Sequence, residues 1–184
     1  MVASPLNRAL LGLAGLAAIG YLAAMVITGA LPHHRQRVQF EAKGVMQLAP
    51  ERVARVELMR GADRAVFRRG PGGDWTREGA GPLAPPLDER LSMAVQFMHT
   101  AGPVRVLEPA DFRGTDAREF GLDRPALAVV LHTDAGPALR AQFGGRSPDD
   151  MSQYMTIEGR PELFLMSRFV GQEWLAVAEG VFAR

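Results

Sequence analysis

His33 and His34 stand side by side and are the first residues along the chain whose type suggests metal binding. Adjacent residues on a helix point about 100° apart, and no third ligand follows at a spacing that would close a tetrahedral site. Arg35 and Arg37 come directly after them, so the cluster reads as a cationic collar at the level of lipid headgroups. His99 and His132 are isolated, one near a helix end and one at a strand end, and read as surface or edge residues. Ser147-Pro148-Asp149-Asp150 offers paired carboxylates, which do acid–base chemistry only when held against a substrate with shifted pKa values. Their setting after a Gly-Gly-Arg loop points to a solvated turn. Gly144-Gly145-Arg146 could cradle an anion with backbone N–H groups, but no phosphate-loop pattern and no following lysine accompany it. Asp88-Glu89-Arg90 falls at a helix start, where acidic groups complement the macrodipole. There is no Gly-x-Ser-x-Gly elbow and no usable Ser/His/Asp order. Cysteine is absent, which excludes disulfides, thiolate metal sites and thiol nucleophiles. No catalytic, cofactor-binding or metal-binding residue is assigned, and the chain is expected to be no enzyme.

The elements that would carry these residues are short strands and two helices. Val53–Arg60 reads as a half-buried strand, Gly61-Ala62-Asp63 as its turn and Ala65–Arg69 as the returning partner. Trp75–Glu78 is a further strand, and Gly79 to Pro86 a loop. Pro85-Pro86 opens a helix from Leu87 to about Thr100, stopped by Gly102-Pro103. Val104–Leu107 is a strand, and Glu108–Glu119 is mixed, with a helical turn expected around Pro109–Phe112 and followed by Asp116–Phe120. Ala126–His132 is the strongest strand, Ala138–Phe143 pairs back, and Gln153–Ile157 and Glu162–Met166 form a second hairpin. Ser167 is expected to cap a closing helix that buries Phe169, Val170, Trp174 and Val177. A hairpin, a strand and a helix thus occur twice at an offset of about 75–80 residues. The fold class is α+β: an antiparallel sheet built from two such units over residues 45–107 and 120–184, in one domain from 45 to 184.

Ahead of that domain, residues 9–31 are 23 uncharged, mostly apolar residues. At 1.5 Å per residue they make about 34 Å of helix, enough for a hydrocarbon core of about 30 Å. Residues 1–8 are then a tail and 32–44 a juxtamembrane linker. The apolar stretch is too long for a cleaved signal peptide, although Thr28-Gly29-Ala30 has the small-x-small form of a cleavage site. Ala14 and Ala18, and likewise Gly20, Ala24 and Thr28, recur one turn apart and would let a second helix approach closely. Tyr21 in mid-span needs a partner for its hydroxyl and marks the same protein-facing side. These six residues are the helix-packing candidates, and Arg35 and Arg37 the headgroup candidates. Positive charge after the span favours a cytoplasmic domain; the short N-terminal tail with a long downstream domain favours an exported one.

Phe120-Gly121-Leu122-Asp123-Arg124-Pro125 resembles a motif of the family called domain of unknown function 4340, an aromatic-Gly-Leu-acidic-x-Pro step before a strand. Phe143-Gly144-Gly145, Gln153-Tyr154 and the Leu163–Met166 strand with a helix from Ser167 match its later elements in order, so the resemblance covers roughly residues 45–180. It implies a membrane-tethered auxiliary protein whose domain lies outside the cytoplasm, some members accompanying ABC transporters of the gliding-motility type. It carries over no catalytic residues. On physical grounds the motif is punctuation: Gly121 permits a tight turn, Asp123 can bond nearby N–H groups, and Pro125 extends Arg124 into the strand.

Net charge is +1, and no basic block with interleaved aromatics is present, so nucleic acid is not an expected partner. The expected protein is a single-span accessory or assembly subunit of an integral membrane complex in a bacterial inner membrane. Its domain would be periplasmic, its partners would be proteins and the lipid bilayer, and it would need no cofactor or small-molecule substrate. An auxiliary component of an ABC-type transporter is the alternative. A membrane-tethered hydrolase with an unrecognised site is the third reading.

Overall fold

The computed structural model describes residues 5–25 and 43–183, with side chains described over 14–24 and 43–183. The chain divides into two compact units, residues 1–41 and 42–184.

In the first unit, α1 (Pro5–Met25) is a 21-residue helix with no acidic residue in its first turn and no basic residue in its last. Every described side chain on it is exposed, with Leu16, Ile19, Tyr21 and Leu22 each at least 60% so. Among the described residues no helix is long and apolar enough to cross a membrane. Residues 26–31 of the expected span lie outside the described ones.

The second unit is an α+β domain on one nine-stranded antiparallel sheet. In chain order come β1 (Arg55–Arg60), β2 (Asp63–Arg69), β3 (Trp75–Arg77), β4 (Gly81–Pro82), α2 (Pro85–Thr100) and β5 (Arg105–Leu107). Then follow β6 (Leu127–Thr133), β7 (Gly136–Arg146), β8 (Ser152–Ile157), β9 (Leu163–Ser167) and α3 (Arg168–Phe182). Across the sheet the order is β4-β3-β2-β1-β6-β7-β8-β9-β5. The central pair is β1–β6, and each half runs outward through four strands before its helix; β5 is added beyond β9.

Period-two alternation sorts the strands into two faces. Val56, Leu58, Phe67, Val129, Leu131, Phe143, Met155 and Met166 lie buried against α2 and α3. Fully burying a side chain of this kind contributes roughly 1.5–3 kcal/mol. On α2, Leu91, Ala94, Val95 and Met98 recur at helical spacing on the buried side; on α3, Val170, Trp174, Val177 and Val181 do the same. Among the described residues of this unit no α-helix packs on the sheet's other face, which carries only a short 3-10 turn, Ala117–Phe120.

Phe169 is 43% exposed rather than buried. Ser167 occupies the N-cap position of α3, yet its side chain makes no capping bond. The loop over Gly79–Pro86 contains a two-residue edge strand, β4. Strand β7 does not end at Phe143 but continues through Gly144 and Gly145 to Arg146. The segment entering the domain completes α2: Gly44 N–H donates to the His99 carbonyl and Met46 N–H to the Met98 carbonyl, both at 2.9 Å. These bonds satisfy carbonyls that a helix end leaves without a partner.

Candidate functional site

On the open face of the sheet, Met59, Ala128, Gln142 and Thr156 fall in one row, because strand register pairs Met59 with Ala128, Ala128 with Gln142, and Gln142 with Thr156. The short side chains of Ala128 and Thr156 in this row leave a trough running across the strands. The β8–β9 turn, with Glu158 and Arg160, forms one wall. The excursion between β5 and β6 forms the other, through Phe112, Phe120 and Leu122. The trough holds two adjoining cavities of about 430 and 330 Å³ that share Gln142, Thr156 and Arg160. Arg140 contributes a guanidinium that pairs with Glu158 at 3.0 Å, and Arg160 donates to the Val45 carbonyl at 3.3 Å. The surface combines apolar and hydrogen-bonding groups with the charges of Arg140, Glu158 and Arg160.

The aromatic wall is held by close backbone approach. Gly121 ends a 3-10 turn (Ala117–Phe120) in the left-handed region, φ +64°. A Cβ built there would stand 2.6 Å from the Gly145 nitrogen, and one built on Gly144 would stand 2.3 Å from the Phe120 carbonyl oxygen. Both positions need glycine for room, and Gly121 also needs it for conformation. Phe120 meets Tyr154 edge-on with centroids 4.9 Å apart, and Phe112 meets Phe120 at 6.0 Å. Behind the same seam, Gln153 Nε2 donates to the Gly144 carbonyl at 2.9 Å, and the Gln153 side chain fills the space beside Gly171 of α3. The motif residues of the sequence thus lock to one another. An anion cradle at Gly144-Gly145 does not fit, because the Phe120 carbonyl lies against that strand. The carboxylate that bonds a backbone N–H in the turn is Asp116, which accepts from Arg118 at 3.0 Å.

Glu57 is the buried acid of the open face, 9% exposed. It pairs with Arg55, with Arg64 at 2.5 Å and with His132 Nε2, which stands 2.8 Å from Oε1 without hydrogen-bond alignment. Burial pushes its pKa up, but the Arg64 hydrogen bond and the charges of Arg55, Arg64 and His132 outweigh this, so the carboxyl sits below its ordinary range. An acid held ionised by three neighbours is a structural counter-ion, poorly suited to proton transfer. His132, expected at an exposed edge, instead has a side chain only 13% exposed.

The other candidate groups are committed to local structure. Asp149 accepts from Ser147 Oγ at 2.5 Å and from Met151 N–H at 3.1 Å. Asp150 bridges Arg146 at 2.9 Å and Arg168 at 2.5 Å. The Ser147 hydrogen bond, foremost, lowers the pKa of Asp149, and the Arg146 hydrogen bond that of Asp150. Both carboxylates therefore fasten the β7–β8 turn. Asp88 accepts from Trp75 N–H at 2.5 Å, Arg90 pairs with Glu173 at 2.9 Å, and His99 Nδ1 lies 3.1 Å from the Met46 carbonyl oxygen. Among the described residues no group of three or more His, Cys, Asp or Glu could hold a metal ion. His33, His34, Thr28, Arg35 and Arg37 lie outside the described residues. Ala14, Ala18, Gly20, Tyr21 and Ala24 are exposed on α1, and a Cβ at Gly20 would meet only open space.

The trough has no linear signature, since its floor joins residues from four strands by register alone. No protein family matches the chain, nor does any curated protein or solved structure.

Proposed function

We propose that this chain is a non-enzymatic, membrane-tethered accessory subunit that docks to an integral membrane complex through its α+β domain. The observation that carries the reading is α1, whose described side chains from Ala14 to Ala24 are uncharged, mostly apolar and exposed all round. A helix apolar on every side belongs in a protein core or in lipid. The apolar run of the sequence continues past Met25 to Leu31, which supplies the remaining length of a span. Ala14, Ala18, Gly20, Ala24 and Thr28 supply the small-residue rows for a partner helix, Tyr21 the polar contact, and Arg35 and Arg37 the headgroup contacts. The domain extends outside the cytoplasm, a placement favoured by the resemblance of Phe120–Pro125 to the domain of unknown function 4340 family.

The trough supports protein docking over catalysis. It is open, its floor sets Met59 and Ala128 beside the amide of Gln142 and the hydroxyl of Thr156, and the acids of the domain with shifted pKa values are bound to arginines or local hydrogen bonds. The partner's surface would lie across the strands, with its apolar groups between the Phe112–Phe120 wall and the β8–β9 turn. The test is affinity purification of the tagged full chain after extraction in a mild detergent. A fixed-ratio membrane complex is the expected result; a chain recovered alone from every detergent would refute the reading.

A further inference from the structure

The tether limits how far the domain can stand from the bilayer. From Leu31 to Lys43 is a dozen residues, at most about 40 Å of extended chain. The chain enters the domain at one end of the sheet: a Cβ on Gly102 would meet the Lys43 carbonyl oxygen at 2.7 Å, just before β5. Among the described residues, three of the domain's five exposed large apolar side chains lie at that end. Val104 is 67% exposed, Val106 40% and Phe169 43%. They belong to one neighbourhood, since Val104 N–H donates to the Leu165 carbonyl at 2.8 Å and Phe169 packs edge-on against Phe97, near the end of α2. Lys43 and Arg105 are exposed there, and Arg168 is half-buried in its pair with Asp150.

We propose that this β5 end of the domain rests on the surface of an anionic bilayer, a conclusion that builds on the tether of the preceding subsection. Val104, Val106 and Phe169 enter the interfacial layer, and Lys43 and Arg105 meet lipid phosphates. Apolar side chains flanked by cations are the chemistry that holds protein surfaces at the headgroup boundary. A short tether raises the local concentration of the patch at the bilayer, so individually weak contacts suffice. Seating on the membrane would fix which way the open-face trough is presented to a partner.

The absence of cysteine allows a direct test with single-cysteine variants of the full chain. Val104→Cys, Phe169→Cys and, at the opposite end of the strand order, Ala80→Cys are labelled with an environment-sensitive fluorophore. Each is reconstituted into phosphatidylcholine/phosphatidylglycerol vesicles with and without spin-labelled lipid. Quenching at 104 and 169 should exceed that at 80 by about threefold or more, and should fall when phosphatidylglycerol is omitted or Arg105→Glu is introduced. Chain that floats with the vesicles but shows equal quenching at all three sites overturns the proposal. Disulfide-linked dimers of unlabelled Val104→Cys under mild oxidation, with no quenching of the labelled variant, would assign this end to a second copy and overturn it as well. Chain that fails to float refutes the tether itself and the seating with it.

Discussion

Glu57 and Val130 lie directly opposite one another on the central strands β1 and β6, and each is three residues before the close of its own hairpin. The hairpins close at Arg60–Asp63 and Thr133–Gly136, so corresponding strand ends are 73 positions apart. This pair sits at the middle of a strand order that runs outward alike on both sides. The two halves differ at this point: one supplies a carboxylate, the other a valine. The carboxylate collects Arg55, Arg64 and His132 on the open face.

Removing that charge strands its partners. Glu57→Gln is expected to destabilise the domain by about 1–2 kcal/mol, less than for a fully buried pair because Arg64 is more than half exposed. Equilibrium urea unfolding of the full chain in detergent measures it.

The same residue sets a pH dependence. Its folded pKa is depressed below the ordinary 4.5, so its stabilisation is complete above that value and is lost as pH falls through the folded pKa. Asp149 and Asp150 act in the same direction. Unfolding midpoints should therefore drop below about pH 4.5, and Glu57→Gln should flatten part of that drop.

The Phe120–Gly144 seam yields a contrast between glycines. Gly144→Ala drives a Cβ to 2.3 Å from the Phe120 carbonyl, against backbone that cannot step aside cheaply. It should cost about 3 kcal/mol or more and loosen the 108–126 excursion. Gly61→Ala has a positive φ but open space around it, and should cost only about 1 kcal/mol. Thermal melts and hydrogen exchange over residues 108–126 would distinguish a lost seam from general destabilisation.

Filling the trough should separate binding from folding. Thr156 is partly exposed on its floor, so Thr156→Arg is expected to shift the melting temperature by only a few degrees while reducing recovery of the partner complex about tenfold. Equal recovery from wild type and variant would place docking elsewhere on the domain.

What the sequence made legible follows from how local each signal is. Pro85-Pro86 and Gly102-Pro103 bracket α2, and the apolar run of Ala126–His132 becomes β6, because caps and alternation act within a few residues. Gly144-Gly145 reads as loop on composition, yet β7 runs through it, across a shift of register with β8 between Phe143 and Arg146 and with the Phe120 backbone close beside it. Phe169 looks like core by helical spacing, but it falls on the first turn of α3, where its ring packs edge-on to Phe97 and stays partly in solvent. His132 looks solitary until strand pairing sets it opposite Arg55 and beside Glu57. The trough depends on the register of four strands, which no single stretch of sequence records.

The tether is tested most directly by alkaline carbonate extraction of membranes from cells making the full chain or a chain beginning at Lys43. Retention of the full chain in the membrane pellet, with release of the shortened one, is the predicted result. Release of the full chain into the supernatant under the same wash would contradict the account.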